Sequence, residues 1–225
     1  MKLYPTIQDV FENPLEIYKT LFFPLVSIDL STMNKGDGRV HFVSVLGNAY
    51  PYLICNDIHY GFDFIKFDWT GEKYNFDNSI FDASHFQTLL QWYAKIEQDY
   101  VQNKEQYLKT YTFEEAQKSH LVLQEQERKK ISHDFYMYGQ MLINYWMTRD
   151  KYLETGDFKQ AYAYYGYSNT INKPILSLSK TGQTNRSDEL VGKVCGYYYM
   201  TYGEDEIKLS IDRKAKKIVQ KFSWT

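Results

Sequence analysis

This chain of 225 residues is short of several things: it has two cysteines, five prolines and five histidines. It also has no apolar run near the roughly 20 residues needed to cross a bilayer. The scarcity of cysteine excludes a disulfide scaffold, and Cys55 and Cys195 fit a reducing compartment in which both stay thiols. An excess of one charge is lacking too. With 26 basic against 28 acidic residues and a net charge of −2, the composition argues against a protein devoted to wrapping nucleic acid. Met1 to Pro5 has no apolar core, and Asp9 and Glu12 follow at once, so neither a secretory leader nor a membrane partner is expected. The expected location is cytoplasmic. What abounds is aromatic: 22 Tyr, 14 Phe and 4 Trp exclude a generally disordered chain. Only seven alanines accompany them, a skew that AT-rich codons produce, so the aromatic count alone carries no function.

Catalytic signatures are absent as well. Lys180-Thr181-Gly182-Gln183-Thr184 lacks the first glycine and the lysine of a phosphate loop. Gly36-Asp37-Gly38 does not continue into a dinucleotide fingerprint, and no Gly-x-Ser-x-Gly elbow occurs. The histidines at 41, 59, 85, 120 and 133 form no His-Glu-x-x-His pair, and the two cysteines are too far apart in sequence for a Cys-x2-Cys zinc site. No metal or other cofactor is therefore expected. The best catalytic grouping is Cys55, Asp57 and His59, in which a thiol beside an imidazole could be activated if the stretch is a strand. A buried thiol at a strand end next to surface polar residues explains the same three residues more simply. A non-catalytic protein is expected.

Periodicity predicts an α+β fold. Thr6 with Asp9 opens a short helix, and Pro14 starts another that ends before Pro24. Residues 26–81 read as short antiparallel strands: Val40, Phe42, Val43 and Val45 are β-prone, and Gly47-Asn48 can turn the chain. Phe62 to Trp69 alternates with one break at Ile65, and Thr70-Gly71-Glu72 is a hairpin turn leading to Tyr74 and Phe76. Central helices follow. Ser84 with Gln87 and Thr112 with Glu115 have capping-box spacing, and Phe86, Leu89, Leu90, Tyr93, Ile96 and Tyr100 form one apolar stripe. A third helix runs from Phe135 to Tyr152 and stops at Gly156, and a fourth spans Phe158 to Tyr165. Residues 152–161 resemble the inter-helix segment of a tetratricopeptide repeat, but a single copy and Arg149 in place of a small residue favour a plain helical hairpin. The tail predicts a three-stranded meander over Val191–Thr201, Ile207–Ile211 and Ile218–Trp224. With no linker-like stretch, a single composite domain over 1–225 is expected, divisible into 1–82, 83–166 and 167–225.

Charge is unevenly spread. Residues 1–100 hold 7 basic and 13 acidic groups, net −6, and the remainder holds 19 and 15, net +4. Asp57, Asp63, Asp68, Glu72, Asp77 and Asp82 recur among Tyr60, Phe62, Phe64, Phe67, Trp69, Tyr74 and Phe76. Such interleaving could dock a basic partner, with aromatics as anchors and acids for steering. The partner-binding candidates are Asp57, Asp63, Asp68, Trp69, Glu72, Tyr74 and Asp77. A solvated outer sheet face would look the same.

The segments Gly196 to Met200, Glu206 to Asp212 and Lys217 to Thr225 resemble the terminal meander of small stand-alone bacterial immunity proteins. The resemblance covers about thirty residues and rests on strand pattern, not on an invariant motif. It implies a cytoplasmic, non-catalytic protein that neutralises a cognate protein toxin, such as a basic nuclease-type domain, by stoichiometric binding. An enzyme with the Cys/His grouping and a helical adaptor are the alternatives.

Overall fold

The computed structural model describes residues 1–45, 60–61, 63–109, 120–129, 132–156, 176–179, 189–196, 199 and 204–223. The α+β class is as expected, with helices and two antiparallel sheets. Where the sequence suggests one composite domain, the chain divides into two compact units. The first comprises Met1–Phe86, Ile175–Gly196 and Gly203–Thr225; the second comprises Gln87–Pro174 and Tyr197–Tyr202.

The first unit holds both sheets. Strands β1 (Lys2–Leu3), β2 (Phe22–Asp29) and β3 (Arg39–Val45) pair in that order. Short helices α1 (Ile7–Val10) and α2 (Tyr18–Leu21) connect β1 to β2. Thr6 and Asp9 close the expected capping box: Thr6 Oγ1 accepts from Asp9 N–H at 3.1 Å, and Thr6 N–H donates to Asp9 Oδ2 at 2.7 Å. Helix α2 ends at Leu21, before Pro24 as expected, and Pro24 itself lies inside β2. A ring without an N–H fits there because the register shifts between Pro24 and Val26, and β1 pairs only with Val26 and Ser27.

The second sheet runs β4 (Tyr60–Gly61), β5 (Phe64–Trp69), β10 (Lys217–Ser223), β9 (Glu206–Asp212), β8 (Glu189–Val194), β7 (Leu176–Leu178), and β6 (Tyr74–Asn75) pairs with β5. The predicted meander is thus its centre, with β5 inserted beside the last strand. Burial alternates cleanly: Ile65, Phe67 and Trp69 on β5, Ile218, Gln220 and Phe222 on β10, and Ile207, Leu209 and Ile211 on β9 all face inward. The break at Ile65 is therefore a phase change, since Phe64, not Ile65, points outward. Against this inner face sits an aromatic cluster. Phe11–Tyr18, Phe67–Tyr74, Phe22–Phe76 and Phe76–Phe81 have ring centroids 4.8, 4.9, 5.3 and 5.3 Å apart.

The second unit is helical: α3 (Phe86–Gln102), α4 (Lys104–Leu108), α5 (Leu121–Arg128) and α6 (His133–Thr155). Leu89, Tyr93, Ile96 and Tyr100 bury the predicted stripe of α3. Asp82, not Ser84, opens the run into α3, because the Ser84 N–H and Oγ–H both donate to Asp82 Oδ1, at 3.0 and 2.6 Å. Ser132 caps α6 and Gly156, with φ +72°, ends it in the left-handed conformation that glycine adopts without cost. The Gly47-Asn48 turn, the Thr112/Glu115 cap, the Phe158–Tyr165 helix and the Cys55, Asp57 and His59 grouping lie outside the described residues.

Candidate functional site

The partner-binding candidates among the described residues do not form one patch. Asp57 lies outside the described residues. Trp69 and Tyr74 are buried, so the expectation that they anchor a partner is corrected: their phase along β5 and β6 turns them into the core. Trp69 Nε1–H donates to Arg39 O at 2.8 Å. Tyr74 is used within the fold, as described below. Asp77 caps a short 3-10 turn by accepting from Ser79 N–H at 3.0 Å. Only Asp63, Asp68 and Glu72 are exposed, and two of these have cations beside them: Asp68 is ion-paired with Lys217, and Glu72 lies 3.7 Å from Arg39. The acidic, aromatic surface expected for this stretch is thus divided between core and paired surface.

A buried polar device sits where the two sheets of the first unit meet. β3 is an edge strand, and its free edge is closed by side chains at alternate residues. Tyr74 OH accepts from His41 N–H at 2.6 Å and donates to His41 O at 2.9 Å. The Gln220 carboxamide does the same for Val43, accepting from its N–H at 2.8 Å and donating to its carbonyl at 3.1 Å. Glu204 accepts from Val45 N–H at 3.3 Å and from Ser44 Oγ–H at 2.7 Å. An edge that would otherwise template another strand is satisfied internally. Glu204 is fully buried, and burial pushes its carboxyl up to about 7.

Ser27 Oγ lies 2.7 Å from His41 Nδ1, and His41 Nε2 lies 2.8 Å from Glu72 O. Because a carbonyl only accepts, Nε2 carries the proton and Nδ1 accepts from Ser27. The pair has the outline of a hydrolytic dyad, but both residues are buried, and burial holds His41 down at about 4. Its role here is to join β2, β3 and the β5–β6 turn. Nearby, the buried Lys35 ammonium pairs with Glu189 at 3.0 Å, and Arg213 Nε meets the same carboxylate at 3.0 Å. The Arg213 guanidinium also lies 5.8 Å from the Trp69 ring, so this basic turn residue is structural as well.

In the helical unit Asp150 gathers Arg149 Nε at 2.6 Å, Lys104 Nζ at 2.9 Å and Tyr100 OH at 3.2 Å. Burial alone would raise its carboxyl, but the bonds and charges from Arg149 and Lys104 outweigh that and hold it below the usual carboxylate range. Among the described residues no group of three or more His, Cys, Asp or Glu is placed to hold a metal ion. No described helix is long and apolar enough to cross a membrane.

Among the described residues, the outer face of the seven-stranded sheet carries half-buried and exposed side chains. Register sets its side chains in rows. In one row Lys217 faces Asp212 on β9 and Asp68 on β5, so opposite charges alternate. The next row places Ser210, Val219 and Lys66 opposite one another. In the third, Lys193 faces Lys208, Lys208 faces Lys221, and Lys221 faces Phe64. Glu206 serves both Lys193 and Lys208, at 3.0 and 2.8 Å. Lys66 Nζ stands 5.1 Å from the centre of the Phe64 ring. Sequence reading missed this face because each lysine is an ordinary outward residue of its own strand; only the pairing lines them up. The chain was compared with protein-family models, with curated proteins and with solved structures, and none of these matches it.

Proposed function

We propose that this chain is a non-catalytic binding protein of the immunity type, which neutralises a protein toxin by one-to-one association. The observation that carries the reading is the disposition of its polar groups. Ser27, His41, Gln220 and Glu204 are buried and tie strands together, whereas the outer sheet face displays ordered charges toward solvent. A rigid sheet with a charged open face suits recognition, because its side chains are already positioned when a partner arrives. The terminal-meander resemblance supports the same reading, since β8, β9 and β10 are the strands that build this face.

The test is co-expression with the protein encoded by the adjacent gene. The expected outcome is restored growth of cells producing that protein, together with a complex of equal stoichiometry in size-exclusion chromatography. Absence of both protection and co-elution would sink the proposal.

A further inference from the structure

The three-lysine row is unusual for a surface that has only to stay soluble. Strands in a sheet are about 4.8 Å apart, so Lys193, Lys208 and Lys221 place three ammonium groups across roughly 10 Å. Like charges directly opposite each other destabilise a sheet. One carboxylate, Glu206, is shared by two of them, and neither Lys221 nor Lys66 meets a carboxylate among the described residues. The row through Lys217 shows that the same sheet can alternate its charges, as Asp212, Lys217 and Asp68 do. Phe64, half-buried at the end of the lysine row, adds an apolar contact beside them.

Resting on the binding reading above, we propose that the outer face of β8, β9, β10 and β5, centred on Lys208, Lys221, Lys66 and Phe64, docks an acidic protein surface. Carboxylates from a partner would complete the ion pairs that this row lacks, and Phe64 would be covered at its end. This reverses the partner charge expected from residues 57–82. Nucleic acid is the less suitable polyanion for this face. The cross-strand rows contain no arginine, the one aromatic ring already lies against Gly61 and Lys66, and the whole chain carries a net charge of −2.

The experiment titrates isotope-labelled protein with short poly-L-glutamate, and in parallel with oligothymidylate of equal charge, following backbone amide shifts at low and high salt. Poly-L-glutamate is expected to shift residues around Lys193, Lys208, Lys221 and Phe64, and to bind more weakly as salt rises. Lys221→Glu puts a carboxylate opposite Lys208. It is expected to weaken poly-L-glutamate binding at least about tenfold while the unfolding midpoint stays level or rises. Lys221→Gln is expected to give a smaller loss. Shifts elsewhere, equal binding by Lys221→Glu, or tighter binding of oligothymidylate would overturn the proposal. If this face fails while co-expression still protects cells, only the docking surface falls; if protection fails, the binding reading itself goes.

Discussion

Tyr74 shows how much one hydroxyl can carry. It is buried, and its OH serves both backbone groups of His41, at 2.6 and 2.9 Å. Burial raises its pKa far above that of a free phenol, so it remains a donor at every ordinary pH. Tyr74→Phe keeps the ring in the aromatic cluster but leaves a buried N–H and a buried C=O unpaired. Such groups cost about 1–3 kcal/mol each when orphaned, so the substitution should cost roughly 2–6 kcal/mol in urea denaturation. Tyr18→Phe is the control: its OH donates to the side chain of exposed Asn78 at 2.6 Å, and the loss there should be below about 1 kcal/mol. Equal effects for the two would show that the hydroxyl of Tyr74 does not seal the strand. That Tyr74 would be buried was not legible from its acidic neighbours. Its phase is set by the hairpin register Trp69↔Tyr74, and that pairing turns both rings inward.

At the scale of elements, legibility follows the range of the interaction. The Thr6–Asp9 cap and the Gly156 stop involve residues within a few positions of one another, and both are present as read. The meander strands also followed from local alternation. Their neighbours did not: β5 beside β10 is a pairing across about 150 residues that no local pattern encodes, and the lysine row depends on it in part. Helix α6 is another case. Its periodicity predicted a helix, yet residues 138–148 are buried without a break, so the helix has no wet face over that length. Gln140 and Asn144, one turn apart, are enclosed there; Gln140 Nε2 reaches Tyr136 OH at 2.8 Å. Neither Asn144 side-chain atom meets a hydrogen-bonding protein group among the described residues. A buried amide in that position costs about 1–3 kcal/mol, and leucine has similar volume. Asn144→Leu should therefore stabilise the helical unit by roughly 1–2 kcal/mol in thermal or urea unfolding. Destabilisation of that size would show that the amide has a partner the helix bundle needs.

Across the molecule, three buried titratable groups set opposing responses to pH. His41 and His120 are held down at about 4 by burial, against 6.5 for a free imidazole. A group whose folded pKa is depressed contributes stability that is present above its unfolded value and lost as pH falls, here between about 6.5 and 4. Glu204 is the reverse case. Its folded carboxyl is raised from 4.5 to about 7, so its contribution is complete below 4.5 and is lost as pH rises through 7. In the first unit, which contains His41 and Glu204, the two slopes nearly cancel between 4.5 and 6.5, and stability should fall off on either side of that window. Glu204→Gln isolates the acidic term. A carboxamide can accept from Val45 N–H and donate to Ser44 Oγ, as Gln220 does for Val43, while carrying no ionisable proton. The variant should match the parent below pH 4.5, gain on it progressively, and be more stable by about 2–4 kcal/mol above pH 7. Urea midpoints at pH 4.5, 6 and 8 would show a difference that grows with pH. A constant difference would mean that Glu204 keeps an ordinary pKa and that its carboxylate is paired at the end of β3.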